Sequence, residues 1–317
     1  KYSKISMKGF YEDTKEEIED KIKTTISDKE IIKMLKGGKR LRSVLEQLVF
    51  KACTCGKETL KQKNKALEAS VSIELAHGAS LIHDDIIDKD SKRRGKPAFH
   101  IEKGINNALL MGHKMLAKGF QISLSHGEKI AEVYVNTWND SINGQLKEIK
   151  FNEDDSEKDD EKLLSESHIS DLYYHIIRLK TAVLFSSAAL VGTLEANSER
   201  KTAKIFLLFF KEIGLAYQLA DDLVDLMKGE VIKTVIIPLI LKLENKDNIR
   251  KSTNEEYIKK KINENKEEIQ EIFMRQIERH LKNAERISKS DLILDSAYKD
   301  LLTKFPRYII NQMIKKQ

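Results

Sequence analysis

The sequence predicts an all-α fold, and three observations carry that expectation. Three prolines and fourteen glycines in 317 residues are too few for a turn-rich β architecture. Apolar residues recur three and four apart over long stretches, the spacing of one helix face. No segment alternates apolar and polar residues over the length of a strand. With 40% hydrophobic and 33% charged residues, the chain is globular and large enough for one big core or two modest ones.

Residues 1–14 read as an N-terminal extension that runs into an amphipathic helix, with Ile18, Ile22, Ile26, Ile31, Ile32 and Leu35 set among charges. Next comes G-G-K-R-L-R, Gly37 to Arg42, leading into a second helix with Leu41, Val44, Leu45, Leu48 and Val49. Glycines followed by cations at a helix entrance suit an oxyanion such as diphosphate. The same pattern is also that of an ordinary basic surface turn.

The central helix is expected over 65–88, and its small and apolar residues Leu75, Ala76, Ala79, Leu81 and Ile82 mark burial. It ends on Asp84, Asp85 and Asp88, with Arg93 and Arg94 close behind. Positions four apart share a helix face, so Asp84 and Asp88 project together while Asp85 leans aside. Two like charges on one face ask for a cation, and hard oxygen ligands suit magnesium.

Helices follow over 105–125 and 128–150. The acidic run Asn152–Glu161 has nothing apolar to anchor it and reads as a solvated surface loop. The helix expected over 170–194 carries Lys180 and Thr181 among small apolar residues, and Lys180 either faces a cavity or snorkels to the surface. Thr181–Leu194 is the longest apolar run, shorter than the ~18 to 20 residues of a spanning helix, so no transmembrane segment is expected. A helix over 202–227 ends on Asp221, Asp222 and Asp225, repeating the D-D-x-x-D spacing. From Lys242 onward the apolar positions Tyr257, Ile262, Ile269, Ile272, Phe273, Ile277 and Leu281 predict peripheral amphipathic helices.

The net charge of +6 comes from lysines interleaved with acids, which implies solvation and no nucleic-acid partner. Cys53 and Cys55 fit neither a disulfide framework nor a zinc spacing, so a reducing, cytoplasmic setting is expected. Lys1 opens the sequence without a methionine or a signal-peptide pattern, which is also what removal of a targeting peptide would leave.

Two acidic pentads on separate buried helices could hold a cluster of magnesium ions between them. A diphosphate is the natural third partner, neutralised by the metals with Lys39, Arg42, Arg93 and Arg94. An apolar lining on the same helices implies a greasy remainder, hence a prenyl diphosphate. Metals and cations would stabilise the departing anion, and a dry pocket would shield the allylic cation.

In order along the chain stand G-G-K-R-L-R at 37–42, E-L-A-H-G-A-S-L-I-H-D-D-I-I-D at 74–88, R-R-G-K-P at 93–97, K-T at 180–181 and Y-Q-L-A-D-D-L-V-D at 217–225. Through these five motifs the chain resembles the trans-isoprenyl diphosphate synthases, or polyprenyl synthetases, over about residues 15 to 312. The resemblance implies a single domain over 1–317, an isoprenoid-synthase-type helical bundle around a deep central cavity, acting as a homodimer. It implies three magnesium ions with bound diphosphate, ligated by Asp84, Asp88 and Asp221, with Asp85, Asp222 and Asp225 in support. Gly38, Lys39, Arg42, His77 and Arg94 would hold the diphosphate of isopentenyl diphosphate, and Arg93 that of the allylic substrate. Lys180 would grip the leaving group, while the oxygens of Thr181 and Gln218 stabilise the carbocation.

The resemblance also implies a floor to the cavity at Ala79 and Ser80, with Ala76 one turn below. Small side chains there predict products of C20 (geranylgeranyl diphosphate) or longer. Departures from the family pattern are Ser43 in place of a proline and Gly112-His113 in place of Gly-Asp. After Asp225 the family's Gly-Lys loop and its aspartate are missing, and Lys228 or Lys233 would supply that loop's cation. A rival reading is a non-catalytic or regulatory subunit of a heteromeric prenyltransferase, whose acidic motifs are typically degraded. A metal phosphohydrolase built on His77, His83 and Asp84 would leave the second pentad unexplained.

Overall fold

Three of the helices start where a side chain caps them. The computed structural model describes residues 4–153, 166–230 and 255–315. Helix α1 (Met7–Thr25) begins behind Ser6, whose hydroxyl accepts from the Gly9 amide at 3.0 Å. Helix α2 (Lys29–Leu35) begins behind Asp28, whose carboxylate accepts from the Glu30 and Ile31 amides. Helix α4 (Leu60–Ile87) opens on a reciprocal Thr59–Gln62 capping box. Caps of this kind contribute about 1 kcal/mol each. Residues 7–14 are thus the first two turns of α1, and Phe10 meets Tyr298 edge-on at 6.1 Å.

The chain divides into two compact units. The first comprises Lys1–Trp138, Ser187–Phe206 and Asp291–Leu302. It holds α1, α2, α3 (Leu41–Thr54), α4, a hairpin, α5 (Phe99–Lys103) and α6 (Ile105–Ser125). Within it α4 packs most extensively against α6, then against α1 and α3. A side chain at Gly78 would strike Leu35 and Met115, so this glycine lets α2 and α6 approach α4. Helix α3 is buried almost all round, from Ser43 through Phe50. Full burial of a side chain such as Phe50 stabilises by about 1.5–3 kcal/mol.

A short two-stranded hairpin lies between α4 and α5. Strands β1 (Lys92–Arg93) and β2 (Lys96–Pro97) pair antiparallel, Lys92 opposite Pro97 and Arg93 opposite Lys96. Their turn residues Arg94 and Gly95 have φ of 53° and 74°, and positive φ at both central residues is what a type I′ turn requires. Two-residue strands are too short to show any alternation.

The second unit comprises Asn139–Ser186, Leu207–Ser290 and Thr303–Gln317. Its described elements lie in α7 (Glu128–Glu153), α8 (Glu166–Ile177), a π turn (Arg178–Ala182), α9 (Val183–Glu195), α10 (Arg200–Met227), α11 (Glu255–Glu264), α12 (Lys266–Ser288) and α13 (Ala297–Ile314). Leu215, Ala216, Leu219, Ala220, Leu223 and Leu226 form the apolar stripe of α10. They share one core with Ile262 of α11, Ile269, Phe273, Ile277 and Leu281 of α12, and Ile310 of α13. The C-terminal helices are therefore core elements of this unit and not peripheral ones. Their polar faces, rich in lysine and glutamate, made them read as peripheral, although most of the apolar stripe named from the sequence is buried.

By length and composition alone Asp171–Glu195 is long and apolar enough to cross a membrane. More than half of its apolar window is buried inside the protein, as in a core helix. The acidic run Asn152–Glu161 lies outside the described residues except for its first two, which end α7. Lys233 lies outside them too.

Candidate active site

The first acidic cluster stands at the C-terminal end of α4, in the first unit. Asp84 lies in the last turn and Asp88 is the C-cap, its amide donating to the Asp84 carbonyl at 2.8 Å. Successive steps of four place Ala76, Ser80, Asp84 and Asp88 on one row. Leu75, Ala79 and Ile82 line the opposite face and are fully buried, Ala79 at 0% exposure. The three residues expected to floor the cavity thus divide: Ala76 and Ser80 share the aspartate row, and Ala79 belongs to the packed core.

Asp85 leans aside, as its register dictates. It is 3% exposed and takes Arg93 on one oxygen, Nε donating to Oδ1 at 2.9 Å and Nη2 to the same atom. The hairpin carrying Arg93 is thereby tied to the end of α4. Burial alone would lower the Arg93 pKa, but the hydrogen bond and charge of Asp85 leave it raised.

A cation cluster lies around His77, on the same face of α4. Gly38 is what lets it form, because a Cβ there would meet the guanidinium groups of Arg40 and Arg94. Arg40 is 3% exposed and fully engaged, with Glu19 at 2.7 Å, Glu74 at 2.8 Å and the Leu35 carbonyl at 2.5 Å. Ser43 donates to the other Glu74 oxygen at 2.5 Å, which gives the departure from proline a structural purpose. Arg94 donates to the Lys36 carbonyl at 2.9 Å. Burial and the nearby Arg40 charge push the Arg94 pKa down, the mark of a site with positive charge in excess. Lys39 is exposed, and its carbonyl accepts from the Tyr11 hydroxyl at 2.5 Å.

Burial, then the charges of Arg42, Arg94, Arg40 and Arg93, hold the His77 imidazole well below its ordinary range. The ring is neutral, and Arg42 Nη1 donates to its Nε2 at 3.2 Å. Its proton therefore sits on Nδ1, which has no hydrogen-bond partner among the described residues. An oriented donor among arginines is suited to an anionic oxygen.

His83, one residue before the first aspartate, needs Gly112, since a Cβ there would overlap the imidazole. It meets His113 edge-on at 5.4 Å and Trp138 at 6.5 Å. The Gly112-His113 departure thus builds an aromatic contact behind the aspartate row.

The second acidic cluster ends α10, in the second unit. Asp222 is 5% exposed, and its two oxygens accept from the Tyr173 hydroxyl and from Gln218 Nε2, the latter at 2.9 Å. Burial pushes its carboxyl up to about 7 against the opposing effect of those donors, with Asp221 and Asp225 adding to the rise. Asp221 is exposed and Asp225 half-buried. Gln218 Oε1 accepts from Thr181 Oγ1 at 2.6 Å. Thr181 and Lys180 lie in the π turn, where one wide turn shifts the helix register, a feature frequent at functional sites. Lys180 is paired with Glu148, and Gly144 lets α7 pass close to the turn. Lys228 is exposed just past α10.

Sequence reasoning placed Arg40 among the cations of the helix entrance but missed its partner Glu74, and it missed Tyr173 and Glu148 as partners of Asp222 and Lys180. Each is joined to its partner across 32 to 49 positions of sequence, which no local spacing reveals.

Among the described residues no three of His, Cys, Asp and Glu converge as a ligand group. The donor chemistry nevertheless fits magnesium. Each unit offers a pair of carboxylates four apart, and magnesium usually takes one or two and completes its shell with water and phosphate. Both pairs also stand at helix C-termini, where the dipole disfavours a carboxylate by about 0.3–1 kcal/mol. A cation relieves both terms.

A sequence profile of the polyprenyl synthetase family matches residues 26–275. A geranylfarnesyl diphosphate synthase of Methanosarcina mazei is 29% identical over 210 residues, 65% of this chain and 65% of that one. A geranylgeranyl diphosphate synthase of the same organism is 32% identical over 203 residues, 62% of this chain and 57% of its own. The matched stretch spans less than two thirds of either relative's length. Among solved structures, a decaprenyl diphosphate synthase from Rhodobacter capsulatus superposes with a TM-score of 0.78 at 19% identity, over 97% of this chain and 99% of that one. The all-α expectation is met, and the fold is that of the helical prenyl synthases.

Proposed function

Because the chain belongs to the polyprenyl synthetase family, we propose that it is a trans-prenyltransferase, condensing isopentenyl diphosphate with an allylic diphosphate to a product of C20 or longer. One observation carries this reading. A single face of α4 bears the carboxylates Asp84 and Asp88, the small residues Ala76 and Ser80, and His77 with its surrounding arginines. Acid for metal, cation for diphosphate and space for hydrocarbon are thus combined on one helix.

In this reading Arg42, Arg94, Lys39, Gly38 and the Nδ1–H of His77 hold the isopentenyl diphosphate. Arg93 serves the allylic diphosphate while keeping Asp85 fixed. Asp84 and Asp88 in the first unit, and Asp221 in the second, would offer carboxylates to magnesium, which when bound would supply charge for the departing diphosphate. Asp85, Asp222 and Asp225 support them. Lys180 exchanges Glu148 for the leaving group as the allylic carbon–oxygen bond breaks. Thr181 and Gln218 turn oxygen toward the developing cation. A carbon–carbon bond then forms to isopentenyl diphosphate, and the released diphosphate takes the proton, so no side-chain base is needed. Ile101, Ile105, Leu109, Leu110, Phe120 and Leu124 expose an apolar stripe on α5 and α6, which supports a homodimer.

The test is incubation with isopentenyl diphosphate and each of the C5, C10 and C15 allylic diphosphates, with and without magnesium. Magnesium-dependent elongation of at least one primer is expected. No elongation with any primer would overturn the reading.

A further inference from the structure

We propose that Tyr173 is a positioning residue that sets the direction of a hydrogen-bond chain ending on Thr181. The proposal rests on the reading above, in which Thr181 and Gln218 face the reacting end. A glutamine amide can turn end for end at little steric cost, and only its partners decide which end points where. Here Asp222 decides. Its Oδ2 is taken by the Tyr173 hydroxyl, and its Oδ1 accepts from the Nε2 end of Gln218 at 2.9 Å, which leaves Oε1 to the other side. That oxygen accepts the single proton of Thr181 Oγ1 at 2.6 Å. Thr181 is then left with lone pairs and no donor. Reversal of the Gln218 amide would turn an N–H toward Thr181 and free the threonine proton to point elsewhere.

Tyr173 fixes the deciding residue. Its hydroxyl donates to the second oxygen of Asp222, and its ring lies in the core cluster beside Ile177, Ala182 and Leu219. The carboxylate is therefore held at both oxygens, by donors from α8 and α10. Tyr173 and Thr181 belong to one continuous helical run. Both turn toward α10, whose Gly214 approaches Ala182 closely. Both oxygens of Asp222 being so used, this acid anchors the chain, while Asp221 and Asp225 are the acids of the cluster that reach solvent.

The experiment uses the full chain carrying Tyr173→Phe, which removes one oxygen and keeps the ring. The side-chain amide signals of Gln218, assigned by their loss in Gln218→Met, are followed by 15N NMR in the absence of substrate. A shifted, faster-exchanging amide in Tyr173→Phe is expected, and an unchanged amide overturns the proposal whatever the activity. In turnover, loss of such an outer partner should lower kcat by about 10- to 100-fold, with KM for the allylic diphosphate kept within about threefold. Tyr173→Phe should add little to Thr181→Val, since members of one chain are not additive; losses that multiply would contradict it. If the unaltered protein elongates no primer, the prenyl-transfer reading fails and the amide measurement alone decides for Tyr173.

Discussion

The two acidic pentads carry the same spacing and end helices of the same length, yet they fix their middle acid by opposite means. At the end of α4, Asp85 is held by the guanidinium of Arg93, a charge brought in by a hairpin. At the end of α10, Asp222 is held by two neutral donors, Tyr173 and Gln218, and its carboxyl rises to about 7. A full counter-charge makes the first anchor an ion pair, and neutral dipoles make the second a hydrogen-bond relay. Outer and inner acids alike keep the same register in both pentads, so the contrast lies in how each inner acid is fastened to its own unit.

The largest effect should come from the outer acids. Replacing Asp84 or Asp221 by Asn is expected to lower elongation by at least about 10²–10³-fold, the loss seen when a group that stabilises developing charge is removed. Magnesium titration of the residual activity measures it.

The anchors should differ in stability. Arg93→Ala strands a buried carboxylate, and because the Arg93 side chain is 38% exposed the cost is discounted to about 2 kcal/mol. Tyr173→Phe should cost about 1 kcal/mol, a single hydrogen bond. Chemical denaturation of both variants decides the order, and equal losses would erase the contrast.

The two regions should also respond oppositely to pH. Asp222 has a raised folded pKa, so its contribution is complete below about pH 4 and declines as pH rises through about 7. Asp222→Asn is expected to raise the metal-free unfolding midpoint at pH 8 and leave it unchanged at pH 4. His77 has a lowered folded pKa, so stability falls as pH drops from 6.5. His77→Gln should flatten that fall in thermal melts between pH 7 and pH 5.

A last contrast separates two neighbours on α4. Ser80→Phe, on the aspartate row, is expected to shorten the product without loss of fold. Ala79→Phe, in the packed core, should instead destabilise by about 1–3 kcal/mol. Product sizing beside thermal melts distinguishes them.

Much of this was legible in the sequence. Helix extents followed from the apolar period, and the expected 105–125 coincides with α6. The pentads were found because carboxylates four apart announce themselves locally. What stayed hidden depends on partners far along the chain. Glu74 and Arg40 are 34 positions apart, and Tyr173 and Asp222 are 49 apart. The division of Ala76, Ala79 and Ser80 needed the packing of α6 on α4, since three small residues look alike until one knows which face is covered. The π turn at Thr181 leaves no compositional trace, and the C-terminal helices read as peripheral because their charged faces outweigh their buried stripes.

If both pentads serve one reaction, neither can be spared. The most direct test is elongation of an allylic diphosphate by the unaltered chain beside Asp84→Asn and Asp221→Asn, each checked for folding. Either substitution alone is expected to lower elongation by at least about 10²–10³-fold. Retention of unaltered activity by either variant would show that its cluster takes no part in the chemistry.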